Sequence, residues 1–195
     1  VTDNKAWLVV GLGNPGATYA NTRHNIGASA VIEIANSKKE KLSKHKRVNA
    51  SVVETRIAGH KVILANPQSY MNESGGPVSG LIKYYDLSAD QVVVLHDELD
   101  IPAFALRVKF GGGDNGHNGL KSIRSSIGTG DFFRIRMGIG RPPAPQDPAD
   151  YVLRNFGSSE KAELSIMFDR TEMLIEMLIR EGLATTQNEF HRGEE

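Results

Sequence analysis

The run Gln91-Val-Val-Val-Leu95, followed at once by His96-Asp-Glu-Leu-Asp100, decides the fold of this chain. An unbroken apolar run of strand length, rich in valine, is the pattern of a β-strand buried on both faces at the centre of a sheet. Polar residues at the carboxyl end of such a strand in an α/β sheet stand where ligands bind. Two readings follow for Asp97. It belongs to a metal cluster with His96, Glu98 and Asp100, or it orients a histidine base by accepting from one imidazole nitrogen. Alternation weighs against the cluster, since neighbours on an extended chain point to opposite faces.

Upstream, Ala6 to Val10 (A-W-L-V-V) repeats the buried-strand pattern, and Val48 to Ile57 with Lys61 to Ala65 reads as a hairpin turning at Ala58-Gly59-His60. Between them Ile26, Ala30, Val31 and Ile34 recur at helical spacing, and Pro77 to Tyr85 forms a second helix with Val78, Leu81, Ile82 and Tyr85 on one face. Downstream, Ala103 to Phe110 and Phe132 to Gly140 alternate as strands, the first with Arg107 and Lys109 on one face, the second with Arg134 and Arg136. A helix over Leu120 to Ile127 lies between them, and the longest amphipathic helix runs from Ser158 or Ser159, as capping serine, to Ile179. Residues 183–195 carry no clear pattern and are expected to be a poorly specified tail, frayed at Glu194-Glu195.

Composition bounds the chemistry. At 195 residues the chain suits one domain, 1–195, with a single well-buried core. There is no cysteine, which excludes disulfides, thiolate metal sites and a cysteine nucleophile. The N-terminal Val-Thr-Asp-Asn-Lys lacks the apolar run of a signal peptide and no stretch reaches membrane-spanning length, so the expected location is the cytoplasm, without membrane contact. Net charge is zero, so any nucleic-acid site has to come from local clustering of cations. Lys38 to Arg47 is such a cluster, either a solvated connection or a phosphate-contacting flank.

Several loops carry polar side chains suited to a site. Gly11-Leu-Gly-Asn-Pro-Gly16 satisfies G-x-G-x-x-G, but Asn14-Pro15-Gly16 is a turn signal and Glu33 falls inside a helical pattern, so a dinucleotide fingerprint does not fit. Asn21 to Gly27 (N-T-R-H-N-I-G) presents His24, which titrates near neutral pH and is either a structural histidine or a general base. Asn66 to Gly76 offers Asn, Gln, Ser, Tyr and Met as a pocket edge would. Gly111 to Gly119 (G-G-G-D-N-G-H-N-G) leads into a helix N-terminus and is not a Walker loop; its His117-Asn118 echoes His24-Asn25. Arg141 to Pro148 is rich in proline and is a candidate lid, 141–150. No G-x-S-x-G elbow occurs, and Ser69 and Ser74 lack the surroundings of a triad.

Six of these stretches, in order along the chain, resemble the bacterial-type peptidyl-tRNA hydrolases: G-L-G-N-P-G at 11–16, Tyr19 with T-R-H-N-I-G at 22–27, P-Q-S-Y-M-N-E-S-G at 67–75, H-D-E-L-D at 96–100, G-G-G-D-N-G-H-N-G-L-K-S-I at 111–123 and R-I-R-M-G-I-G-R-P at 134–142. The resemblance implies a single α/β domain with a central twisted mixed sheet flanked by helices, a monomer, no metal and no cofactor. It implies hydrolysis of the ester between a peptide and the 3′-terminal ribose of tRNA, in translation and ribosome rescue. His24 is then the base that activates water, Asp97 its orienting partner and Asn14 a catalytic amide. Tyr19, Met71, Asn72, His117 and Asn118 match substrate-binding positions, and Lys109 and Arg136 match tRNA-contacting cations. Clustering extends that last set to Arg107, Arg134, Lys121 and Arg141. A hydrogen bond between His24 and Asp97, direct or through one water, is the geometric expectation.

Overall fold

The computed structural model describes residues 4–192. Its strands are β1 (Trp7–Gly11), β2 (Ser43–Lys44), β3 (Ala50–Ile57), β4 (His60–Pro67), β5 (Val92–Glu98), β6 (Leu106–Phe110) and β7 (Phe133–Gly138). They form one sheet in the order β2-β3-β4-β1-β5-β7-β6. β1 runs parallel to β4 and β5, and β5 parallel to β7, while the β2-β3, β3-β4 and β6-β7 pairs are antiparallel. The sheet is therefore mixed, as expected, and β5 lies inside it with every residue buried.

The period of two assigns each side chain of β5 to a face. Val93 and Leu95 join a core beneath α1 (Ile26–Ser37) and α5 (Lys161–Glu181); Val92 and Val94 join one beneath α2 (Gly75–Tyr84) and α3 (Asn118–Ile127). A short helix, α4 (Pro148–Val152), and a terminal one, α6 (Leu183–Phe190), complete the domain. Among the described residues no helix is long and apolar enough to cross a membrane.

Two glycines bring the site together. A Cβ on Gly11 would stand 2.3 Å from Gly27 O, and one on Gly27 would stand 2.2 Å from Leu95 O. Only bare Cα atoms let the start of α1 sit this close to the ends of β1 and β5. The turn that precedes α1, which carries His24, is thereby laid over the carboxyl end of β5.

Several sequence expectations are corrected. The cationic segment is more than a solvated connection: it contains β2 and a buried His45, which accepts from the amides of Arg47 and Val48 at 3.1 and 3.0 Å. No serine caps α5. A 3₁₀ turn, Ser158–Glu160, leads into it, and Glu160 Oε1 accepts from Gly157 N at 2.9 Å. The strand expected from Ala103 begins at Leu106, since Phe104 takes a left-handed backbone with φ 70°. Within the tail, Leu183–Phe190 form α6, with Thr186 and Phe190 buried. It covers the open edge of β6: Gln187 Nε2 donates to Val108 O at 3.0 Å, and Val108 N donates to His191 Nε2 at 3.1 Å. Glu194-Glu195, expected to fray, lies outside the described residues.

Candidate active site

His24 occupies a 3₁₀ turn, Arg23–Asn25, held from both sides by residues that sequence reasoning did not single out. Arg23 N donates to Arg154 O at 3.0 Å, and its guanidinium donates to Asn155 O at 3.2 Å, lies 3.5 Å from Glu160 and stacks over Tyr151 at 4.4 Å. On the other side buried Asn25 grips the backbone of Asn14, accepting from its N–H and donating to its carbonyl, both at 2.9 Å. The adjacency R-H-N was the only sequence signal for these roles.

Asp97 stands between two histidines. His24 Nδ1 is 2.8 Å from Asp97 Oδ2, so the expected hydrogen bond is direct. His117 Nε2 is 2.7 Å from Asp97 Oδ1. The remaining nitrogens differ. His117 Nδ1 accepts from the amides of Gly119 and Leu120, at 3.1 and 3.3 Å, as the N-cap of α3. A nitrogen that accepts carries no proton, so the His117 proton lies on Nε2 and points at Asp97. His24, donating through Nδ1, keeps a bare Nε2 with no hydrogen-bonding partner among the described residues.

The electrostatics agree. Burial favours neutral His24, but the charge of Asp97 and its hydrogen bond outweigh burial and raise the histidine above its ordinary value. Burial would likewise push Asp97 up, yet the two histidine rings hold it well below the usual carboxylate range. A carboxylate that stays ionised steadies an imidazolium formed beside it. His96 lies beneath, fully buried and pushed down to about 3 by that burial and by His117. Its Nδ1 donates to the Asp97 carbonyl at 2.9 Å, so it supports the backbone of the acid rather than joining a cluster.

The cleft above has a volume of about 520 Å³, and its lining includes Asn14, His24, Met71, Asn72, His117 and Asn118. Asn14 Oδ1 accepts from Met71 N at 2.7 Å, which fixes the amide and leaves its Nδ2 as an available donor. Met71 is buried and packs where Gly119 has no side chain: a Cβ there would lie 2.8 Å from Met71 Sδ. Asn72 and Asn118 are exposed in the lining. Tyr19 is not in it; its ring meets Tyr70 edge-on at 6.5 Å. Arg141, Pro148 and Ala149 bring the proline-rich segment into the lining.

The cations separate by surroundings. Arg134, grouped above with the RNA-contacting cations, is corrected: it is fully buried and donates to the carbonyls of Gly112, Gly113 and Gly130, so it anchors the glycine loop from below. Lys109 and Arg136 are half-buried on the same sheet face, Arg136 lying 3.4 Å from Glu98. Burial, then the charges of Arg136 and Arg134, lower Lys109 below its ordinary value. Arg141 is held by Asp100 at 2.7 Å.

The proposed acidic metal cluster does not converge either. Glu98 is taken by Arg136 and by Asn115, which also reaches Asp100 at 2.9 Å. Among the described residues the potential ligand atoms that gather are those of His24, Asp97 and His117, within 4.8 Å of one another. There the two ring N–H groups already face the carboxylate.

Fold and site together define a single-domain α/β protein with a hydrogen-bonded histidine–carboxylate pair at the carboxyl edge of a mixed sheet. The family model described as peptidyl-tRNA hydrolase matches residues 8–195. The peptidyl-tRNA hydrolase of Frankia alni is 53% identical over 190 residues, covering 97% of this chain and 96% of its own. That of Pseudarthrobacter chlorophenolicus is 49% identical over 187 residues, 95% of each. The crystal structure of peptidyl-tRNA hydrolase from Acinetobacter baumannii matches with a TM-score of 0.88 at 33% identity, over 97% of this chain and 96% of that one. This chain belongs to the peptidyl-tRNA hydrolase family, a family of enzymes.

Proposed function

We propose that the protein hydrolyses the ester joining a peptide to the 3′-terminal ribose of tRNA, releasing both, with His24 as general base and without metal or cofactor. The observation that carries this reading is the direct His24–Asp97 hydrogen bond, which leaves Nε2 bare in a residue that lines the cleft. Nε2 takes a proton from water as the oxygen attacks the ester carbon. Negative charge grows on the carbonyl oxygen, and the fixed Asn14 amide donates to it. The imidazolium, steadied by Asp97, then gives its proton to the departing ribose oxygen. A positioned base is worth about 10²–10⁴-fold in such a step.

Met71, Asn72, His117, Asn118 and Tyr19 hold the peptide and terminal nucleoside. Lys109 and Arg136 meet tRNA phosphates through salt-sensitive contacts. The 141–150 segment covers the cleft, and the protein works as a monomer in the cytoplasm. Turnover of peptidyl-tRNA against free aminoacyl-tRNA, with and without a strong chelator, tests the reading. The peptidyl ester is expected to be cleaved at the same rate in both conditions; loss on chelation, restored by a divalent ion, contradicts it.

A further inference from the structure

Arg23 stands one residue before the base, and its guanidinium is seated in a socket built from residues 151–160. It lies over the rings of Tyr151 at 4.4 Å and Phe156 at 5.3 Å. It donates to the carbonyls of Arg154 and Asn155 at 3.4 and 3.2 Å, and it meets Glu160 at 3.5 Å. The side chains of the socket are themselves fixed. Tyr151 Oη donates to Ile139 O at 2.8 Å, Phe156 packs on Phe104 with ring centroids 6.3 Å apart, and Glu160 Oε1 accepts from Gly157 N at 2.9 Å.

An arginine in a surface ion pair is commonly a bolt worth little, and no more. Two observations carry Arg23 further. Its side chain is only 14% exposed, and a flat guanidinium between two rings with carbonyls at its edge is a fit that an ammonium cannot reproduce. The stretch that holds it also lines the cleft, through Pro148, Ala149, Val152 and Leu153. Leu153 is apolar yet 47% exposed, so it offers a surface that an acyl chain in the cleft can cover.

One short piece of chain therefore touches both the space for substrate and the turn of the base. The backbones are paired as well, Arg23 N donating to Arg154 O at 3.0 Å and Phe156 N to Asn21 O at 3.1 Å. This pairing does not use the guanidinium, so the fold of the turn has a support that survives changes at the Arg23 side chain. What the side chain adds is precision. A displacement of about 1 Å at a reacting group costs on the order of 10²-fold.

We propose that Arg23 is a positioning residue for His24, and that it joins the 148–160 segment to the His24 turn so that an acyl chain seated on Val152 and Leu153 is held in register with the base. The inference rests on His24 acting as the base in the proposed function.

The test uses Arg23→Met, Leu153→Ala and the double variant. Values of kcat and KM are measured on an N-blocked aminoacyl-tRNA with a bulky apolar side chain, and the His24 ring is titrated by NMR. Arg23→Met is expected to lower kcat about tenfold with KM within about twofold, part of the loss for a full misplacement. Leu153→Ala is expected to lower kcat about threefold alone and to add nothing beside Arg23→Met, as residues acting as a unit do.

The titration separates placement from charge. Deleting a nearby cation by itself raises a histidine pKa, whereas slackening the hydrogen bond to Asp97 lowers it. Asp97 and His117 are the titratable groups against the ring, and Arg23→Met alters neither. The His24 pKa is therefore expected to fall. Unchanged kcat, a change confined to KM, additive losses, or a His24 pKa that stays or rises overturns the proposal. Where Arg23→Met does not fold, Arg23→Lys, which keeps the charge but not the flat fork, carries the same predictions at smaller size. Absence of peptidyl-tRNA turnover in the wild type contradicts the proposed function instead; the His24 titration needs no substrate and still decides the role of Arg23.

Discussion

His24 and His117 share one carboxylate but hang from differently built pieces of backbone. The His24 turn is clamped from outside, by Arg23 on the 151–160 segment and by Asn25 on Asn14, and none of these restraints touches the imidazole. The His117 loop is restrained through the ring itself, whose Nδ1 closes the first turn of α3. A ring with one nitrogen on Asp97 and the other free can take a proton from water. A ring with both nitrogens engaged cannot do so without releasing a helix cap. The lesson is that the second hydrogen bond, not nearness to the carboxylate, separates the two rings: only His24 keeps a nitrogen without a partner among the described residues.

The comparison breaks most visibly if His24 is dispensable. His24→Ala is expected to lower hydrolysis of peptidyl-tRNA at least about a hundredfold, as loss of a general base does, with RNA affinity and thermal midpoint near wild type. Asp97→Asn is expected to follow closely. An asparagine side chain can accept from only one ring in the manner of a carboxylate, and His117 is committed by its cap, so His24 loses its partner and its tautomer. Its pH profile sharpens the point. The base must be neutral, so the wild-type rate falls as pH drops through the raised pKa of His24, placing the acid limb above the ordinary histidine value of about 6.5. Removing the anion at Asp97 should move that limb to lower pH while the plateau falls; an unmoved limb would assign it to another group.

Smaller effects are expected from the groups that hold rather than react. Asn14→Ala removes a fixed donor to the developing oxyanion and should cost about tenfold to a hundredfold in kcat, with KM little changed, somewhat less than the loss of a fully enclosed donor. His117→Ala should cost the least in turnover, under about tenfold. It should also lower stability by about 1 kcal/mol through the lost cap, read by chemical denaturation. A larger kinetic loss for His117→Ala than for His24→Ala would invert the assignment.

How much of this was legible in the sequence follows the range of the interactions. The valine run of β5 and the alternation of helices and strands are local patterns, and they located the sheet and Asp97 correctly. The likeness of His24-Asn25 to His117-Asn118 is also local, and it concealed the difference that matters. Asn25 reaches back to Asn14, whereas His117 turns onto its own helix. Arg134 shows the same limit. Alternation placed it with Arg136 on one face, but the glycine loop folds over that face and buries it. The tail lacked a pattern because α6 is short and is fixed by pairing with the edge of β6, a contact no local window contains.

The most direct test is the position of the ring protons themselves. Long-range proton–nitrogen NMR correlation of the imidazoles, recorded above the raised pKa of His24, reports the tautomer of each ring. The expected result is opposite tautomers, with the His24 proton on Nδ1 and Nε2 bare, and the His117 proton on Nε2 with Nδ1 accepting. The same tautomer on both rings, or a His24 proton on Nε2, would contradict the account.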